Sequence, residues 1–198
     1  MNWVTKLFKS KPLDQSEKEF FDGLHAFNEG KKLWYDLATN KENSKEEKED
    51  KRQEAIMLFD KAIEKGVDKS EAFSLRGDLL MELNYYFDAL EDYNLAIQKK
   101  HEKNIAGNYY MRSIIKGNLY DFDGSLEDLK EAIRLSKLDN DDTKYWNNYA
   151  KTTGYESTAQ FYEMWLPSDF ELEHNKKRYT DDYKNEELKK IKRRDKTT

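Results

Sequence analysis

Arg76 and Asp92 stand 16 residues apart, and Arg112 and Asp128 repeat that spacing 36 residues further on. Placed on opposite helices of a helical hairpin, each pair is close enough for a charge-assisted bidentate bridge. Such a pair can orient a substrate or fix two helices, and its recurrence in register with packing residues favours the architectural role. The chain has no cysteine, which removes thiolate nucleophiles, disulfides and Cys-type zinc sites. Its histidines, His25, His101 and His174, lie far from one another in sequence, and no HExxH spacing occurs. DFDGSLEDLKEA, from Asp121 to Ala132, puts glycine fourth where a calcium loop needs it sixth, and ends in Ala where that loop needs Glu. LDNDDTKYWNNYA lacks both features, so these acids read as helix caps and partners of helix N-termini. There is no glycine-rich phosphate loop and no GxSxG elbow. The expectation is a chain without catalysis, cofactor or metal.

The elements that must position these residues follow from composition. Of 198 residues, 38% are charged and 37% hydrophobic, and the mean hydropathy is −1.09. That length suffices for one core, and the polarity leaves no stretch near the roughly 20 apolar residues of a membrane span. Eight glycines and two prolines leave little punctuation for many tight turns, which predicts an all-α chain. Charge is uneven: residues 174–198 carry 10 Lys/Arg against 5 Asp/Glu, so an acidic body ends in a basic tail. With a pI near 5.4, sequence-specific DNA binding is disfavoured. The run KKIKRRDK can meet RNA or acidic protein by charge, but holds no aromatic on which bases would stack, and a solubilising end is the plainer reading.

Residues 1–13 form a short amphipathic segment in which Trp3, Val4, Leu7 and Phe8 share one side of a helix. It lacks the apolar run and cleavage site of a secretory signal. With Lys6, Lys9 and Lys11 beside the apolar patch, one alternative is reversible membrane attachment through Trp3, Leu7 and Phe8. Ser16 and Glu19 have capping-box spacing, and Phe20, Phe21, Leu24, Phe27, Leu33, Trp34 and Leu37 supply the stripe of the helix that follows. The polar block TNKENSKEEKEDKR comes next, and within it Ser44 and Glu47 open a second helix.

The chain also resembles itself. AFSLRGDLLMELNYYFDALEDYNLAI, residues 72–97, aligns with NYYMRSIIKGNLYDFDGSLEDLKEAI, residues 108–133, at an offset of 36. Arg76 falls on Arg112, Leu90-Glu91-Asp92 on Leu126-Glu127-Asp128, and Ala96-Ile97 on Ala132-Ile133. Upstream, Ala55, Phe59 and Ala62 match Ala89, Tyr93 and Ala96 at an offset of 34. Small residues at Gly77, Ala89 and Ala96 let two helices approach, and Phe73 and Tyr93 fill the space between neighbouring pairs.

In these residues the chain resembles the tetratricopeptide repeat family, whose unit is a helix-turn-helix of about 34 residues. The resemblance implies a right-handed superhelix of antiparallel helix pairs over residues 14–167, with units at about 16–67, 70–103 and 106–138 and a truncated one at 143–166. In that last unit Trp146 and Ala150 take the aromatic and small sites of a first helix, and residues 168–198 form a polar, basic cap or tail. The implied function is that of a cytoplasmic adaptor or scaffold binding a partner's peptide or helix in a concave groove along the first helices. Mapped onto this chain, the groove comprises Glu71, Ser74, Asp78, Met81, Tyr110, Ile114, Lys144, Asn147 and Lys151, with Tyr110 and Ile114 as apolar anchors. The chain's own termini are competing occupants, and self-association is a further option. A clamp for a partner's C-terminal carboxylate is not matched, because Ser74, Leu75 and Asp78 stand where basic and amide residues would be wanted. A membrane-peripheral assembly factor anchored by the N-terminal segment is the alternative function.

Overall fold

The computed structural model describes residues 14–39, 44–99, 105–138 and 140–195, and among them ten helices and no strand. The N-terminal segment with Trp3, Leu7 and Phe8, and His101, lie outside the described residues. The chain divides into two compact units, residues 1–68 and 69–198. No helix among the described residues is long and apolar enough to cross a membrane.

The first unit is a helical hairpin of α1 (Gln15–Thr39) and α2 (Lys45–Glu64). The cap of α1 is Asp14 rather than Ser16: its carboxylate accepts from the Glu17 amide at 2.8 Å while Glu17 accepts from the Asp14 amide at 2.9 Å. Asp and Glu three apart satisfy two orphan donors reciprocally, as the Ser–Glu pair would have done two residues later. The box at Ser44 and Glu47 forms as its spacing predicts. The buried stripe of α1 is Gly23, Ala26, Phe27 and Gly30, whereas Phe20 and Phe21 are exposed. Close approach decides this: a Cβ at Gly30 would stand 3.2 Å from the Phe59 ring, and Phe59 is fully buried edge-on to Phe27. Burying a ring of that size contributes about 2–3 kcal/mol.

The second unit begins with two full pairs, α3 (Ser70–Glu82) with α4 (Tyr86–Gln98), and α5 (Ile105–Asn118) with α6 (Phe122–Leu135). Inside the first, Tyr93 is buried over Gly77, whose missing side chain leaves room for the ring: a Cβ there would lie 2.9 Å from Tyr93 Cε2. Each pair turns the same way. Asn84 and Tyr120 both sit at φ 63°, and the next amide reaches back to the fifth preceding carbonyl, Tyr85 to Leu80 and Asp121 to Lys116, each at 2.9 Å. This is the helix-terminating arrangement usually built on glycine. Gly154 adopts it between α7 (Asp141–Thr152) and α8 (Thr158–Glu163), with φ 95° and the Tyr155 amide on the Ala150 carbonyl. The turn thus recurs at 84, 120 and 154, a spacing of 36 and then 34 residues.

The last pair departs from the others. Its helix α8 provides the main contact with α6, through Tyr162 in a cluster with Leu129, Ala132 and Ile133. Helix α7 buries only Ala150, and Trp146, read as filling the aromatic site of a first helix, is half-buried and donates to Asp142. Beyond Pro167, a capping box at Ser168 and Glu171 opens α9 (Asp169–Arg178), and α10 (Asp181–Lys190) follows. The tail is therefore helical, and neither helix buries a residue.

Candidate partner-binding surface

The two arginine–aspartate pairs form as bidentate bridges. Arg76 meets Asp92 at 2.8 and 2.6 Å, and Arg112 meets Asp128 at 2.7 Å through both nitrogens. Asp92 and Asp128 are almost wholly buried, with side chains 3% and 5% exposed. Asp128 also takes Lys116 at 2.9 Å, and Arg112 donates its third nitrogen to Asn94 at 2.8 Å, so this one guanidinium joins α4, α5 and α6. The hydrogen bonds that Arg112 donates to the Asp128 carboxylate raise the Arg112 pKa and hold it charged. Both arginines are thus used in joining helices.

The residues mapped to the groove fall into two groups. Glu71, Ser74, Asp78 and Met81 lie on α3, and Tyr110 and Ile114 on α5, and these two helices touch. All six are half-buried. The Ser74 hydroxyl donates to the Glu71 carbonyl at 3.2 Å, and the Asp78 carboxylate accepts from the Tyr93 hydroxyl. Burial, then the charge of Asp78, push the Tyr93 phenol far above its ordinary pKa, so it stays a neutral donor.

Tyr110 differs from its expected place. Its ring stacks on Tyr162 at 4.5 Å and meets Phe161 edge-on at 5.5 Å, so α8 covers the ring that was to be an uncovered anchor. The anchor reading assumed that α7 would follow α5, leaving α8 behind it. Because α8 packs on α6 instead, its aromatic residues reach α5.

Lys144, Asn147 and Lys151 are on α7, whose main contact is α8. The Asn147 side chain accepts from the Thr158 amide at 2.9 Å and so caps α8, while Lys144 and Lys151 are exposed. Two rings missed by the repeat pattern stand on the same helix: Tyr145 and Tyr149 are 64% and 58% exposed, flanking Trp146. Their spacing of four residues was visible in the sequence as one helical side. Trp146 also lines a crevice, together with Ile105, Leu135, Asn140, Thr158 and Tyr162, that has room for little more than water. The Thr158 hydroxyl is buried there without a hydrogen-bond partner.

Among the described residues no cluster of His, Asp or Glu is arranged to hold a metal, and His25 and His174 are exposed on α1 and α9. Among the described residues the arrangement offers helix surface with apolar and hydrogen-bonding groups. Comparison of the chain with protein-family models, with curated proteins and with solved structures finds no match.

Proposed function

We propose that the chain is a non-catalytic, tetratricopeptide-like protein-binding module, a cytoplasmic adaptor or scaffold that receives a partner's peptide or helix along its first helices. The observation that carries this reading is the contact of α3, which bears Ser74, Asp78 and Met81, with α5, which bears Ile114. The matched Arg76–Asp92 and Arg112–Asp128 bridges and the recurring turn support a repeated unit, whose pairs would wind into a right-handed superhelix. Binding energy then comes from covering Met81 and Ile114 at about 25 cal/mol per Å² of apolar area. Asp78 sets orientation, and Lys144 and Lys151 on α7 offer charge of the opposite sign. Tyr110 serves by holding α5 against α8 rather than by touching the partner.

The test is a photo-crosslinking phenylalanine analogue placed at Met81 or Ile114, with Lys130, exposed on α6, as the control position. One protein crosslinked from the first two positions and not from the third supports the reading. Crosslinks from position 130 alone would contradict it.

A further inference from the structure

After Pro167 the chain returns to the start of both second helices. Lys176 bridges Asp123 at 2.6 Å, and the rings of Tyr179 and Tyr183 lie 5.3 and 6.0 Å from Tyr120. Tyr179 also meets Phe122 at 5.8 Å, and the Lys184 ammonium stands 5.7 Å over that same ring. Further along, the Arg193 guanidinium lies 4.6 Å over the Phe87 ring and reaches Glu91 at 3.3 Å, while the Arg194 amide donates to the Asp88 carboxylate at 2.9 Å. Phe87 and Asp123 are equivalent positions of the repeat, 36 residues apart, so the arm crosses the same feature of two successive pairs. The sequence's uneven charge has its counterpart here, since basic residues of the tail meet acids of the body.

The surface under the arm combines three carboxylates, at Asp88, Glu91 and Asp123, with three rings, at Phe87, Tyr120 and Phe122. Rings beside carboxylates suit guanidinium and ammonium groups, which gain from both the ring face and the charge. They repel nucleic acid and anionic lipid. The occupant already seated holds on without burying a residue of either helix, through ring contacts and two partly exposed ion pairs, the latter individually weak and screened by salt.

We propose that the surface formed by Phe87, Asp88, Glu91, Tyr120, Phe122 and Asp123 is a docking site for a basic protein segment bearing arginine and tyrosine, and that the C-terminal arm is its displaceable intramolecular cover. The site is separate from the first-helix strip and does not depend on it. An arm tethered in place acts at a high effective concentration, so a segment added in solution competes poorly until the arm is loosened.

The experiment uses the full chain and a fluorescein-labelled peptide of residues 168–198, read by fluorescence polarisation at 150 mM and 500 mM salt. Lys176→Glu with Arg193→Glu loosens the arm at exposed positions, and circular dichroism checks that the helices persist. The loosened chain should bind the peptide at least about tenfold more tightly than the unaltered chain, a gap of about 1.4 kcal/mol. Adding Glu91→Lys and Asp123→Lys should remove that binding, and higher salt should weaken it. Equal affinity for the unaltered and loosened chains, or binding that survives the two lysines, would overturn the proposal. So would a loosened chain that sediments as a dimer and leaves the peptide unbound, because the occupant would then be the arm of a second copy.

Discussion

Arg112 grips Asp128 through two parallel hydrogen bonds of 2.7 Å, and the same grip joins Arg76 to Asp92 in the preceding pair. The Asp128 carboxylate holds Lys116 as well, so its removal strands two cations near the core. Breaking a buried pair by deleting one partner costs about 3–5 kcal/mol, since the remaining charge is left uncompensated. Asp128→Ala and Asp92→Ala should each therefore lower stability by about 3 kcal/mol or more, as read by urea unfolding. An unchanged midpoint for both variants would show the bridges to be ornamental.

Gly77 and Tyr93 are matched in size, and the following pair meets the same need with Ser113 and Leu129, each 36 residues further on. Gly77→Ala puts a carbon 2.9 Å from the Tyr93 ring and should cost about 1–3 kcal/mol by overpacking. Tyr93→Leu should cost about 2–4 kcal/mol through the cavity it leaves. Joined, Gly77→Ala with Tyr93→Leu should recover at least about 1 kcal/mol relative to the sum of the two single variants. Strict additivity in thermal unfolding would mean that the two positions do not share one space.

Burial raises the pKa of Tyr93, and that of Tyr162 as well, each above the free value of about 10. The folded chain thus keeps protons that the unfolded chain gives up as pH passes 10. Stability from these phenols is complete below that pH and is lost above it, by up to about 1.4 kcal/mol per unit for each group. Tyr162→Phe should flatten the decline of unfolding free energy between pH 9 and 11. Parallel curves for the variant and the unaltered chain would rule out the buried phenol as a cause.

Tyr120 occupies a left-handed backbone position, φ 63°, where an L side chain costs about 1–2 kcal/mol. Its ring is the centre of the contact with Tyr179 and Tyr183 on the arm. Tyr120→Gly should relieve the backbone while releasing the arm. Amide exchange over residues 169–190 should quicken at least about tenfold with the global unfolding temperature unchanged or higher. Unaltered protection of the arm would show that the ring does not hold it.

The repeat was legible because the helix pairs are built by local rules, with small residues at 89, 96 and 132 marking the closest approaches. The bridges were legible because side chains in one hairpin have fixed spacing. What escaped was choice among neighbours. Phe20 and Phe21 read as core, yet the glycines at 23 and 30 allow α2 nearer to the other side of α1. Tyr110 read as facing outward because no local rule says that the short helix α8, rather than α7, packs on α6. The residues mapped to the groove on α3 and α5 lie on helices that touch, whereas those on α7 belong to a pair whose packing differs. The docking of the arm rests on contacts more than 50 residues apart, such as Lys176 with Asp123, which periodicity does not carry.

The claim that the first helices bind a protein is tested most directly by affinity capture from the source cell's lysate, with mass spectrometry of the retained proteins. The bait is the unaltered chain or Met81→Glu with Ile114→Glu, both half-buried positions, after matched unfolding temperatures confirm that both fold. The account predicts that the folded variant loses a protein that the unaltered chain retains, while Lys176→Glu with Arg193→Glu keeps it. An identical set of captured proteins on the Met81 and Ile114 variant would contradict it.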